Sequence, residues 1–234
     1  MGERYSQRRR TLDLATFLAI GFALTSAPVA VAEACTVAEF SQGNKDLYIQ
    51  AENAFIQDKD AQAARAKLNT LSAMSMNCFE QGAMLRFSAA LNVELNDYPG
   101  AITDLEAAVD RRLLSDEEVK KTHFNIAQLY LAIESFESAS RAFDQWIDAG
   151  ALPTRNQMWQ MAETKEKAGD PAGALAWAQK VFEDDGPGAA DAVYTFLIDL
   201  NYQTGQDAVA TELTRILEAR RPAPQRPQSG GVEQ

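Results

Sequence analysis

Few side chains in this sequence carry the chemistry that catalysis or metal binding needs. There is one histidine, His123, and there are two cysteines, Cys35 and Cys78. Together they fall short of the four Cys or His ligands of an ordinary structural zinc site, so no metal is expected. His123 follows Ser115-Asp116-Glu117-Glu118 and is placed at the start of a helix, as a packing or capping residue. The acidic runs Asp116-Glu117-Glu118 and Glu183-Asp184-Asp185 lack the alternating ligand order of an EF-hand calcium loop; a helix start and a solvated loop account for them. No G-x-x-x-x-G-K-[ST] phosphate loop is present. No nucleophile with its base and no carboxylate pair stands in a recognisable motif. Neither a catalytic residue nor a cofactor is expected, and an enzyme is the least favoured function class.

The first 32 residues read as a secretory signal peptide. Arg4, Arg8, Arg9 and Arg10 form a basic start, an apolar run covers residues 12–24, and Ala27-Pro28-Val29-Ala30-Val31-Ala32 supplies small residues with cleavage after Ala32. The apolar run is broken by Asp13 and Gly21 and falls short of the roughly 18 to 20 residues that span a bilayer, so cleavage is favoured over a retained anchor. Ala32-Glu33-Ala34 does not suit lipid attachment at Cys35, and Asp13 departs from a twin-arginine signal. Without residues 1–32 the chain keeps 18 Lys plus Arg against 31 Asp plus Glu, a net charge of about −13. Such a surface repels phosphate backbones and anionic headgroups, which argues against nucleic acid and membrane-surface binding. In an oxidising compartment Cys35 and Cys78 form a disulfide from the mature N-terminus to the second helical pair. The alternative is two unpaired thiols with Cys78 buried.

Residues 45–219 carry apolar side chains at helical spacing, without the strict alternation of strands. An internal repeat runs through them. Its clearest unit holds Ile126-Ala127, Tyr130, a polar break at Glu134-Ser135, then Ala139, Phe143 and Trp146. The same frame recurs as Ala89, Asn96-Asp97-Tyr98, Ala101, Leu105 and Ala108, and as Ala162, Gly169-Asp170, Ala174, Ala178 and Val181. Weaker copies hold Phe55, Lys59-Asp60, Ala64, Leu68 and Leu71, and Thr204-Gly205, Ala210 and Leu217. The alanines that anchor the second helices, Ala64, Ala101, Ala139, Ala174 and Ala210, are spaced by 37, 38, 35 and 36 residues. Small residues there let two antiparallel helices approach closely, and the large residue one turn later closes the pair. This pattern resembles the tetratricopeptide repeat. It implies an all-α, right-handed superhelical α-solenoid of about five degenerate helix pairs, rather than an irregular bundle. The chain divides into a signal peptide (1–32), a lead-in (33–44), a repeat domain (45–220) and a Pro/Gly/Gln-rich disordered tail (221–234).

In a solenoid of helix pairs the first helix of each pair lines the concave face. The frame puts Ile49 and Asn53, Arg86 and Ala90, Phe124 and Gln128, and Trp159 and Glu163 along that groove. Trp159 and Arg86 are the foremost contact candidates, because Trp and Arg dominate interface energetics; Trp159 packing on the next repeat is the alternative. Trp146 and Trp177 fall on second helices and are structural.

Leu95-Asn96-Asp97-Tyr98-Pro99-Gly100-Ala101-Ile102, Phe124-Asn125-Ile126-Ala127-Gln128-Leu129-Tyr130-Leu131, Phe136-Glu137-Ser138-Ala139 and Trp146-Ile147 add a closer likeness. Over about residues 48–217 the chain is similar to exported tetratricopeptide proteins encoded with TonB, ExbB and ExbD in proteobacteria. That resemblance implies a periplasmic accessory of TonB-dependent outer-membrane transport, with TonB-system components as partners. An adaptor in cell-envelope or cell-wall assembly is the second interaction role, and a small-ligand binder would instead need a closed apolar cavity. Asn92 and Lys165 stand where the repeat usually keeps an aromatic, and no functional residue is carried over.

Overall fold

Each helix starts and stops where its local chemistry dictates. A computed structural model describes residues 35–37 and 39–220; the expected signal peptide and tail lie outside the described residues. Ten α-helices fill the described part: α1 Gln42–Ile56, α2 Ala61–Ser72, α3 Cys78–Glu94, α4 Tyr98–Asp110, α5 Asp116–Ala132, α6 Phe136–Asp148, α7 Arg155–Lys167, α8 Pro171–Asp185, α9 Asp191–Gln203 and α10 Asp207–Arg220. Three of the first helices open with a capping box, Asn77 with Glu80, Ser115 with Glu118 and Thr154 with Gln157, which satisfies amides that have no partner in the first turn. Asp60, Asp97 and Asp170 cap second helices by a single bond, each side chain accepting from the amide three residues on. The acidic run at 116–118 is thus the first turn of α5.

The turns within pairs share one conformation. Lys59, Asn96, Glu134, Gly169 and Gly205 all adopt positive φ, between 56° and 78°, which glycine alone takes up without steric cost. Glu134→Gly should therefore raise stability by about 0.5 kcal/mol, the released strain exceeding the added chain entropy, as a shift of the urea midpoint would show.

Packing is local throughout. Successive helices pack on one another, and α1 with α3 is the one non-successive pair in substantial contact among the described helices. The buried apolar side chains form three clusters in chain order, around α1–α3, α3–α7 and α7–α10. This is a solenoid, in which each unit buries its apolar face against its neighbours, and not a bundle around one core. All five anchoring alanines are fully buried.

Polar side chains run through this packing in a regular register. Nine residues ahead of each anchoring alanine stand Phe55, Asn92, Tyr130, Lys165 and Asn201. Asn92 accepts from Arg65 of α2 and donates to Asp104. The Tyr130 hydroxyl donates to Glu106 of α4 at 2.7 Å; burial first, and then that carboxylate, pushes the phenol up to about 12. Lys165, buried, donates to Ser140 and Asp144 of α6. Each reaches the second helix of the preceding pair. For Asn201 the residue of α8 matching Ser140 is Leu175. It offers no donor, and the Asn201 Oδ1 is buried without a partner. Removing a buried unsatisfied acceptor relieves its desolvation. Asn201→Leu should therefore leave stability unchanged or raise it by about 1 kcal/mol; a clear drop in melting temperature would show that the amide supports the fold.

The lead-in is tied down at two points. Cys35 is joined by a disulfide to Cys78, the first residue of α3. Glu80, 1% exposed, accepts on Oε1 from the Ser41 amide and hydroxyl, both at 2.6 Å, and on Oε2 from the Asn44 side chain and Asn77 amide, both at 2.9 Å. Burial pushes this carboxyl up, but the hydrogen bonds outweigh it and hold the group below its ordinary value. With Ser41 fixed as its N-cap, α1 begins at Gln42, three residues ahead of the expected domain start, so the expected lead-in overlaps its first turn.

Candidate partner groove

The exposed faces of α3, α5 and α7 border two neighbouring depressions. Between α3 and α5 lies an open depression of about 330 Å³, lined by Arg86, Ala89, Ala90, Val93, Leu105, Asn125, Gln128 and Leu129. Its floor is apolar and its rim polar. A second, between α5 and α7, is lined by Leu131, Glu134, Phe136, Gln160, Glu163, Thr164 and Lys167. The side-chain amides of Gln128 and Gln160 link the two, donating to each other at 2.9 and 3.1 Å. A third, about 430 Å³, sits at the start of α5 beside the α6–α7 loop, over Phe124, Trp146 and Leu152; Leu152 is 93% exposed.

Of the eight groove residues expected from the sequence, Arg86, Ala90 and Gln128 meet in the first depression and Glu163 borders the second. Arg86 is held by an ion pair with Glu118. The Ser115 amide foremost, against an opposing effect of burial and with help from Arg86, keeps the Glu118 carboxyl below its usual range. Ile49 and Asn53 are exposed on α1, outside these depressions. Phe124 is half-buried, its ring 4.8 Å from that of Trp146, so packing takes most of its surface. Trp159 is committed further: its ring lies 5.1 Å from Phe196 of α9, with the Arg155 guanidinium over it. It joins one repeat to the next and is not a free contact residue. Trp146 is buried, and Trp177 packs between two of the apolar clusters.

Two other placements differ from expectation. His123 lies within α5, a turn and more past its start, because the capping signal belongs to Ser115. Burial lowers its pKa against the pull of Asp110. Asp185 is no solvated loop residue; it ends α8 and pairs with Arg155 through both oxygens, at 3.1 and 2.6 Å. Val93, Asn125 and Gln160 were not anticipated as lining residues, although their register relative to the anchoring alanines marks them. Among the described residues no group of three or more His, Cys, Asp or Glu is placed to hold a metal ion. No described helix is long and apolar enough to cross a membrane.

The fold is that of tetratricopeptide-type solenoids. No protein-family profile matches the chain, and no curated protein matches it either. The likeness lies in solved structures. The crystal structure of MamA protein shares 11% identity at a TM-score of 0.51, covering 79% of this chain and 99% of that one. MamA 41-end from Desulfovibrio magneticus RS-1 shares 12% at 0.50, covering 79% and 100%. The C-terminal part of a TPR repeat-containing protein from Cytophaga hutchinsonii shares 14% at 0.50, covering 75% and 66%. At such identities the fold is what is shared.

Proposed function

We propose that this chain is an exported, periplasmic scaffold that holds a partner protein in the groove of its first helices, as an accessory of TonB-dependent outer-membrane transport. One observation carries the scaffold role: the exposed faces of α3, α5 and α7 form neighbouring open depressions, the first with an apolar floor and the second lined mainly by polar side chains, the surface form that binds a chain segment and not an enclosed small molecule. The periplasmic setting is supported by the N-terminal sequence and the disulfide, which suits an oxidising compartment. The TonB setting is supported by sequence resemblance over residues 48–217. A photo-crosslinking residue in place of exposed Asn125, in intact cells, tests all three. An adduct with an envelope protein is expected, and a TonB-system component would support the finer setting. A cytosolic adduct would overturn export. No adduct from a well-expressed, folded variant would overturn the groove.

A further inference from the structure

The groove changes character along its length, and the change is written in the repeat register. Eight residues ahead of the anchoring alanines stand Ile56, Val93, Leu131, Glu166 and Tyr202, and eleven ahead stand Asn53, Ala90, Gln128, Glu163 and Asp199. Residues three apart share a helix face, so these two rows lie side by side along α1, α3, α5, α7 and α9. Over α1–α5 the rows are apolar or neutral; Ile56 and Val93 are 54% and 41% exposed. From α7 onward they bring in carboxylates.

Charge pairing makes the contrast sharper. Along α3–α7 Arg86 pairs with Glu118 and Lys121 with Glu117, and Lys167, at the edge of the depression that Glu163 borders, lies over the Phe136 ring at 5.1 Å. The carboxylates of Glu163, Glu166 and Asp199 make no hydrogen bond or ion pair among the described residues, and Glu163 and Asp199 are exposed. Neighbouring like charges on one surface reinforce each other's potential, so this end of the groove is short of cations that a partner must supply.

We propose that the groove takes a protein segment carrying apolar side chains over α1–α5 and basic side chains over α7–α9. This rests on the groove being the binding surface. Successive first helices from α3 to α9 are not closely packed on one another, so they stand farther apart than the roughly 10 Å of packed helices; at about 3.3 Å per extended residue, on the order of twelve residues run from α3 to α9.

The test uses the full chain without its signal segment and three labelled synthetic peptides of about twelve residues. One has a leucine-rich half and an arginine-rich half, the second has glutamates for the arginines, and the third has serines for the leucines. Fluorescence anisotropy should find the first bound at least about tenfold more tightly than either other, with affinity falling as salt is raised. Glu163→Gln, Glu166→Gln and Asp199→Asn together should weaken it by about tenfold or more, or about 1.4 kcal/mol. Neutralising Glu137, Asp148 and Glu183 on second helices should leave it unchanged. Equal binding of the acidic peptide, or equal loss in both triple variants, would overturn the proposal. A tenfold gain on deleting residues 221–234, which contain Arg221 and Arg226, would also overturn it, by showing that the chain's own tail occupies the groove. If no peptide binds while the Asn125 adduct persists, the partner chemistry is wrong and the scaffold stands; if the adduct also fails, the scaffold reading falls with it.

Discussion

Replacing Glu80 by alanine is expected to destabilise the protein by about 3 kcal/mol, because buried donors left without an acceptor each cost about 1 to 3 kcal/mol and not all are sealed from water. The Ser41 amide and hydroxyl, the Asn44 side chain and the Asn77 amide all converge on that carboxylate. Glu80→Gln keeps one acceptor oxygen and should lose less. The same site predicts a pH dependence with a definite sign. A carboxyl held below its unfolded value of about 4.3 contributes stability that is fully present above that value and is lost as pH falls through the folded pKa. Wild-type stability should thus decline on acidification below about pH 4.5, with a shallower slope in Glu80→Gln; Glu118, lowered in the same direction, sustains the remainder. Urea midpoints across that range measure both effects. A Glu80→Ala protein as stable as wild type would show that water replaces the carboxylate.

Loss of the Cys35–Cys78 bridge has the next largest effect. A cross-link between residues 43 apart removes on the order of 4 kcal/mol of chain entropy from the unfolded state. Cys35 sits at the edge of the solenoid, where local opening precedes global unfolding, so Cys35→Ser should cost about 2 to 4 kcal/mol. Hydrogen exchange should show the loss concentrated in the lead-in, α1 and the start of α3. Reductant should destabilise the wild type to the level of the variant and leave the variant unaffected. Equal midpoints with and without reductant would place the bridge's role elsewhere than stability.

The architecture was legible because alanine is diagnostic when it recurs at one spacing. Ala64, Ala101, Ala139, Ala174 and Ala210 fixed the pairing of helices before any contact was known, and the break residues Lys59-Asp60, Asn96-Asp97, Glu134-Ser135 and Gly169-Asp170 marked the turns. Side-chain commitments were harder to read. Trp159 has the spacing of a groove residue, but whether its ring faces solvent depends on Phe196, which lies in another repeat. Asn92 and Lys165 looked like departures from an aromatic position; their partners Arg65, Asp104 and Asp144 replace ring packing with hydrogen bonds. Glu80 follows Asn77 at capping-box spacing, which marks the helix start. Its other contacts, to Ser41 and Asn44, exist only once α1 has folded onto α3.

The central claim is that the partner is held by first helices and not by second ones. Two arginine pairs test it in the crosslinking strain: Ala90→Arg with Gln128→Arg in the groove, and Thr103→Arg with Gln145→Arg at exposed positions on α4 and α6. With folding verified by circular dichroism, the groove pair should reduce the Asn125 adduct by about tenfold or more and the second-helix pair should leave it intact. Loss of the adduct in the second-helix pair alone, or equal loss in both, would contradict the account.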